Sequence, residues 1–252
     1  QFRAMGKMPA ILTRGYKRLA PEKYTVLPAG GRAPVSLTGD EAQIFVRSAI
    51  AHLGIGGDRV KVGEELLRQL PADLILLDDG YQHRRLERDF DLLLLDAQNP
   101  VSAGQLFPLG RLREPVSGIG RADAIVLTRT QRGREYRQLL RRLRQWNPQA
   151  PVFRSQVRPE AWVEYPSGTT SGLELHYKRV AAFCGLGVPA AFWAVLRRMG
   201  IATCFRWSFG DHHQYRPWDL KRLQSHALEA GAEALLTTEK DVMNLPENAE
   251  QL

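Results

Sequence analysis

Cysteine is scarce in this chain of 252 residues: Cys184 and Cys204 are the only two, and they share no CxxC spacing. A disulfide framework is thereby excluded, and the pair reads as reduced thiols in a cytoplasmic protein. Long apolar runs are missing as well. Nothing approaches the roughly 18 residues of a membrane-spanning helix, and no signal-peptide apolar segment opens the chain. The sequence therefore reads as soluble, with any membrane contact peripheral. Internal repeats and low-complexity tracts are absent, and a content of 44% hydrophobic residues supports a real core and excludes disorder. Acid is in deficit: 35 Lys and Arg face 27 Asp and Glu, for a net charge of +8. Such a surplus favours anionic partners, whether phosphate groups, acidic lipid or nucleic acid. The aromatics are not grouped on any evident platform for stacking unpaired bases.

What the chain does have is a set of short apolar runs: AILT (10–13), LILL (74–77), LLLL (92–95) and AIVLT (124–128). Helical patterns separate some of them, notably Glu41–Leu53 and the arginine-rich RGREYRQLLRRLRQW (132–146), and the alternation predicts a parallel, doubly wound α/β sheet. In the arginine run Tyr136, Leu139, Leu140, Leu143 and Trp146 fall at helical spacing. That stripe is expected to pack on a sheet while the arginines stay solvated; a surface resting on lipid headgroups is the other reading. From 151 the texture changes, and extended segments around a turn at 166–172 predict a β-rich connector over 151–176. A strand at Val180–Cys184, a helix opened by Pro189 and closed near Gly200, and a final ALLTT strand predict a smaller α/β domain over 177–252. Residues 1–150 form the N-terminal core in this reading.

The stretch LILLDDGYQHRRLERDFDLLLLDA (74–97) finishes two strongly apolar strands with carboxylates. If those strands lie side by side, Asp78, Asp79 and Asp96 gather on one rim, where open α/β sheets keep their ligands. Carboxylates at a strand end are how phosphoryl-transferring α/β proteins hold Mg²⁺, a hard cation that takes oxygen ligands. A hairpin turn at Asp79-Gly80 is the alternative, weakened because YQHRRLERD does not continue as an alternating strand. His83, four residues past Asp79, would face the same rim. Asp40 and Glu41 stand just before an amphipathic helix, where Thr38, Gly39 and Asp40 make an ordinary N-cap and Glu41 suits the positive end of the helix dipole. FGDHHQY places Asp211, His212 and His213 between aromatics. Adjacent imidazoles are ill placed to share one metal, and an acid–imidazole dyad for proton transfer fits better.

Taken in order, LTRGYKR (12–18), GDEAQIFVR (39–47), DDGYQHRRLERD (78–89), PLGRLREP (108–115), FCGLGVPAAF (183–192), FGDHHQY (209–215) and TTEKD (237–241) resemble the tetraacyldisaccharide 4'-kinases of lipid A biosynthesis. The resemblance spans nearly the whole chain. It implies a P-loop-kinase-like α/β fold and transfer of the γ-phosphate of ATP, with Mg²⁺, to the 4'-hydroxyl of a tetraacyldisaccharide 1-phosphate. It implies further that Asp78 and Asp79 manage Mg²⁺ with Glu41 as an acidic neighbour, and that His83 lies beside the nucleotide phosphates. Asp40 would be the general base, His212 would orient or tune it, and Arg113 would contact a phosphate oxygen. The partner implied is an anionic glycolipid at the cytoplasmic face of the bacterial inner membrane, which gives the arginine surface a reason.

The family pattern includes a GxxxxGK[ST] loop upstream of the RGY motif, and this chain has only QFRAMGKMPA there. FRAMGK reads as the tail of a helix stopped by Gly6. With Gln at residue 1, the expectation is that a first strand, the P-loop, most of its helix and any membrane anchor lie upstream, and that the chain as given binds ATP poorly. Two other classes stay open: a non-catalytic scaffold for a lipid A precursor, and a basic nucleic-acid-binding module.

Overall fold

The computed structural model describes residues 1–16, 18–19, 24–101, 104–110, 112–131, 133–246 and 249. Lys17, Arg111 and Arg132, each part of a stretch quoted above, lie outside the described residues. The chain forms two compact units, one made of 1–57, 62–76 and 158–252, the other of 58–61 and 77–157.

The first unit begins with one helical turn, Phe2–Met5, capped by Gly6 in the left-handed conformation at φ 73°, the stop expected of that glycine. Strands β1 (Pro9–Thr13) and β2 (Thr25–Leu27) follow, then helices α1 (Val35–Thr38) and α2 (Asp40–Ser48), strand β3 (His52–Ile55), helix α3 (Arg59–Gln69) and strand β4 (Leu74–Leu77). The sheet runs β2-β3-β1-β4, with β1 and β3 parallel and β2 and β3 antiparallel. Strands β1 and β3 are buried throughout, as expected of apolar runs in the middle of a sheet. Helix α3 lays Val62 and Leu66 against them. A Cβ on Gly54 would stand 2.7 Å from both Leu12 and Val62, so only glycine lets the helix approach this closely.

The helix predicted over Glu41–Leu53 is shorter than its periodicity suggested. It stops at Ser48, with Ala49 left-handed at φ 55°, and Leu53 belongs instead to β3, paired with Ile11 and Leu27. Val46, Ile50 and Leu53 happen to continue a helical spacing, but two flanking strands need the hydrogen bonds of HLGI, and the ladder wins.

The second unit holds strand β5 (Leu92–Asp96), a 3-10 turn (Val116–Arg121), strand β6 (Ala124–Thr128), helix α4 (Arg137–Trp146) and strand β7 (Val152–Arg154). Its sheet, β5-β6-β7, is parallel throughout. Helix α4 packs Leu143 and the preceding Tyr136 into a core with Ile125 and Leu127, with Leu139, Leu140 and Trp146 partly buried beside them. Arg137, Arg141, Arg142 and Arg144 face solvent, so the stripe packs on its sheet as its spacing required.

The first unit resumes with a short hairpin, β8 (Trp162–Val163) and β9 (Thr170–Ser171). Then come β10 (Val180–Cys184), α5 (Pro189–Arg198), β11 (Thr203–Ser208), α6 (Pro217–Glu229), β12 (Ala234–Leu236) and α7 (Glu239–Val242). The three-stranded sheet β11-β10-β12 is parallel, with β10 fully buried at its centre. Cys184 and Cys204 are both free. The architecture is thus mixed α/β with mostly parallel sheets and flanking helices.

One expectation fails. The strands LILL and LLLL are not neighbours: β4 sits beside β1 and β5 beside β6, in different sheets. The three strand-end carboxylates therefore do not share the rim of one sheet. Nor are the two strands buried on both faces, since Leu76 in β4 and Leu92 and Leu94 in β5 are exposed. Both are edge strands in their sheets, and an apolar run alone cannot tell an edge from a centre.

Candidate active site

In the first unit, the site is built at the corner between α1 and α2. Gln43 donates to the Thr38 hydroxyl and to the Ala33 carbonyl, both at 2.7 Å, and ties α2 to the segment before it. Gly39 makes the corner at φ 80°, with the Tyr16 carbonyl 2.5 Å from where a Cβ would stand. A side chain there would clash with backbone, and the φ is one that favours glycine.

Asp40 follows as the first residue of α2, and Gly39 takes the N-cap position. Of the N-cap expected from Thr38, Gly39 and Asp40, Gly39 holds the cap position and no side chain caps the helix. The Asp40 Oδ1 accepts the Glu41 N–H at 2.9 Å, and Oδ2 is hydrogen-bonded to Nδ1 of His212. The Asp40 side chain is 3% exposed. Burial by itself would raise its pKa, but the hydrogen bond and attraction of His212, the Glu41 N–H and the Asn244 side chain outweigh that, and the carboxyl is held below the usual aspartate range. A buried carboxylate kept ionised at a helix N-terminus is a proton acceptor held ready.

His212 comes from the loop after β11, itself left-handed at φ 57°. Its N–H donates to the Gly185 carbonyl at 3.2 Å, and its ring meets Tyr16 edge-on at 5.7 Å between centroids. The neighbouring His213 faces elsewhere: it stacks on Phe209 at 4.5 Å and bonds Asp219 Oδ2 at 3.0 Å. Asp211, the acid adjacent in sequence, is not the partner of the imidazole; its Oδ2 lies 3.8 Å from His212 Nε2, beyond hydrogen-bond reach. Glu41, half exposed, brings Oε1 to 3.6 Å from the same nitrogen. Asp40, Glu41 and His212 are thus brought together by the fold.

Two residues of this cluster had no role in the sequence reading. Lys240 Nζ stands 3.3 Å from His212 Nε2 and 3.5 Å from Asp211 Oδ1. It is projected there by Asp241, almost wholly buried, whose Oδ1 accepts from the Gly185 N–H at 2.6 Å and the Tyr215 hydroxyl at 2.7 Å. Thr238 caps α7 by accepting the Asp241 N–H. The signal was present in TTEKD, a polar stretch with no use in a buried strand.

The second unit carries the other expected residues. Asp78 and Asp79 follow β4, and Asp79 is left-handed at φ 46°. Arg113 Nη1 lies 2.6 and 2.7 Å from the two carboxylate oxygens of Asp79, on a surface where both side chains are about two-thirds exposed. His83 is held at its backbone by a bond to the Gly80 carbonyl and by Arg88 on its own carbonyl. Its Nε2 is buried with no hydrogen-bond partner among the described residues. Burial first, then the charge of Arg59 and other arginines, lower its pKa and keep the ring neutral. Asp96 is spent on Arg129 and on the Gln98 N–H. Among the described residues no group of three or more His, Cys, Asp or Glu side chains is arranged to hold a metal by itself, and no helix is long and apolar enough to cross a membrane.

With this geometry in hand, known proteins become informative. The family model for "Tetraacyldisaccharide-1-P 4'-kinase" matches residues 1–252. The chain belongs to this family. It is 35% identical to the tetraacyldisaccharide 4'-kinase of Desulfatibacillum aliphaticivorans, over 97% of this chain and 68% of that protein. The enzyme of the same name from Syntrophus aciditrophicus is 32% identical, over 96% and 68% of the two chains. Against Syntrophobacter fumaroxidans the figures are 35%, 97% and 65%, so the chain spans about two thirds of the length of these relatives. The crystal structure of LpxK from Aquifex aeolicus in complex with ATP superposes with a TM-score of 0.70 at 29% identity, covering 96% of this chain and 73% of that one. The fold of the family is therefore the fold of this chain.

Proposed function

We propose that the protein transfers the γ-phosphate of ATP to the 4'-hydroxyl of a tetraacyldisaccharide 1-phosphate. The observation that carries this reading is the buried, ionised Asp40 carboxylate hydrogen-bonded to His212 in a member of this family. In the reaction, Asp40 takes the proton from the sugar hydroxyl as that oxygen bonds to the γ-phosphorus. The bond from phosphorus to the bridging oxygen breaks, and its electron pair leaves on ADP. Such a transfer asks mostly for positioning and charge neutralisation. A positioned base contributes roughly 10²- to 10⁴-fold.

Asp78 and Asp79 suit Mg²⁺ by donor chemistry, since this cation takes one or two carboxylates and completes its shell with phosphate oxygens and water. When bound it would neutralise phosphate charge; Glu41 stays an acidic neighbour of Asp40 within the first unit. Arg113, now paired with Asp79, would turn to a phosphate oxygen, and a phosphate would also satisfy the unpartnered Nε2 of His83. The solvated arginines of α4 suit an anionic glycolipid at the cytoplasmic leaflet of the inner membrane, where each basic residue near the surface contributes about 1 kcal/mol.

The test is transfer of labelled γ-phosphate from ATP to a tetraacyldisaccharide 1-phosphate in mixed micelles, with Asp40→Asn as control. Product formation that the substitution abolishes supports the reading. Glycolipid binding with no transfer would replace it with the scaffold, and salt-sensitive oligonucleotide binding with no glycolipid binding would replace it with the nucleic-acid module.

A further inference from the structure

The imidazole of His212 is held between two groups of opposite sign, and their chemistry leaves little freedom in where its protons sit. Nδ1 meets the Asp40 carboxylate, whose oxygens in the ionised form can only accept. Nε2 has Lys240 Nζ at 3.3 Å. An ammonium has three donors and no lone pair, so Nε2 must be the acceptor in that contact. Among the described residues, the other charged groups recorded near the ring are Glu41 Oε1 at 3.6 Å and Asp211 Oδ2 at 3.8 Å, both past the distance at which they would accept from Nε2. Tyr16 meets the ring edge-on, and the Gly185 carbonyl accepts the backbone N–H of His212.

We infer that Lys240 is a positioning residue that fixes His212 as the neutral tautomer with its proton on Nδ1. In that state the imidazole donates one hydrogen bond to Asp40 and has no proton to exchange through Nε2. Asp40 alone is then the group that can take up a proton, while the imidazole holds it ionised and aimed. The lysine is itself held, since its neighbour Asp241 is pinned by Gly185 and Tyr215 and its Nζ is bridged to Asp211 at 3.5 Å. Position 240 thus acts through His212 rather than on substrate. As a role in phosphoryl transfer this rests on the function proposed above; as a statement about the tautomer it does not.

The experiment reads the tautomer directly: ¹⁵N shifts of the histidine side chains in the intact protein at neutral pH, with the His212 signals assigned by their loss in His212→Gln. The wild type is expected to show a bare, pyridine-type Nε2 and a protonated Nδ1. Lys240→Met should move Nε2 to the protonated or exchanging range, and Lys240→Arg should keep it bare. A wild-type Nε2 that carries a proton overturns the inference, whatever the variants do, and so does a bare Nε2 that survives Lys240→Met. In the transfer assay, Lys240→Met should lower kcat by about ten- to a hundredfold with KM for ATP within twofold, and Lys240→Arg should recover most of the rate. An unaltered kcat in Lys240→Met would overturn the positioning role. Absence of transfer in the wild type, with the tautomer as expected, would count against the proposed reaction and leave the assignment of the proton supported.

Discussion

Asp40 and His212, 172 residues apart in the chain, are hydrogen-bonded side chain to side chain, and the carboxylate is almost wholly buried. The pair joins the N-terminus of α2 to the loop after β11. Its partners beyond the first contact, Lys240 on Nε2 and the Glu41 N–H on Oδ1, make it a small network in which each member limits the others.

Asp40→Asn keeps the shape of the side chain and removes its basicity. Phosphoryl transfer is expected to fall by about 10²- to 10⁴-fold, with the affinity for ATP within a few-fold of wild type. Initial rates over an ATP titration check this; a rate within threefold of wild type would remove Asp40 from the role of base.

Asp79→Ala removes the ion pair with Arg113 and takes one oxygen-donor group from the proposed Mg²⁺ site. The Mg²⁺ concentration giving half-maximal rate should rise at least tenfold. An unchanged Mg²⁺ titration would end the metal role. Stability should change little, because an exposed ion pair is worth about 1 kcal/mol at most.

Glu114 sits among Arg121, Gln82 and Arg84, and the hydrogen bond from Arg121, followed by those of the other two, lowers its pKa to about 2 against the opposing effect of burial. A depressed carboxyl stabilises the fold above its unfolded pKa of 4.5 and loses that contribution as pH falls toward 2. Denaturant unfolding should show Glu114→Gln less stable by about 3 kcal/mol at neutral pH, with the gap closing between pH 4.5 and about 2. A gap that does not depend on pH would contradict the assignment.

Asp241→Ala leaves the Gly185 N–H and the Tyr215 hydroxyl buried without an acceptor, at a cost of about 1–3 kcal/mol for each. Tyr215→Phe removes only one donor and should cost less. Burial, and then the bond to Asp241, raise the Tyr215 pKa far above its ordinary value, so its phenol should not titrate in an absorbance scan below pH 11 in the folded protein.

Leu143→Ala in α4 should destabilise by about 2–5 kcal/mol, because its side chain is fully buried against the β5-β6-β7 sheet. Arg142→Ala, on the solvated face of the same helix, should change stability by less than about 0.5 kcal/mol. The comparison, made by thermal unfolding, separates the packing face of this basic helix from its charged one.

Much of this was legible in the chain itself. The strand-length apolar runs became β1, β4, β5, β6 and β10 because four or five aliphatic residues in a row suit a strand, whether it ends at the centre or at the edge of its sheet. Helix α5 opened at Pro189 because proline suits a first helical turn, and the chain turned at Gly200, φ 76°, because glycine tolerates that backbone. The apolar stripe of α4 buried the face that its spacing marked. What local pattern could not supply was which strands meet and which polar groups face each other. Neighbours in a sheet are chosen by crossovers and edge packing, so LILL and LLLL, so alike in sequence, entered different sheets. The choice of Asp40 over Asp211 as the acceptor for His212, and the arrival of Lys240 on its far nitrogen, are contacts between segments nearly 30 to more than 170 residues apart. Spacing along the chain carries no information about such distances; only the corner at Gly39, the left-handed turn at His212 and the buried anchor at Asp241 bring those atoms within reach.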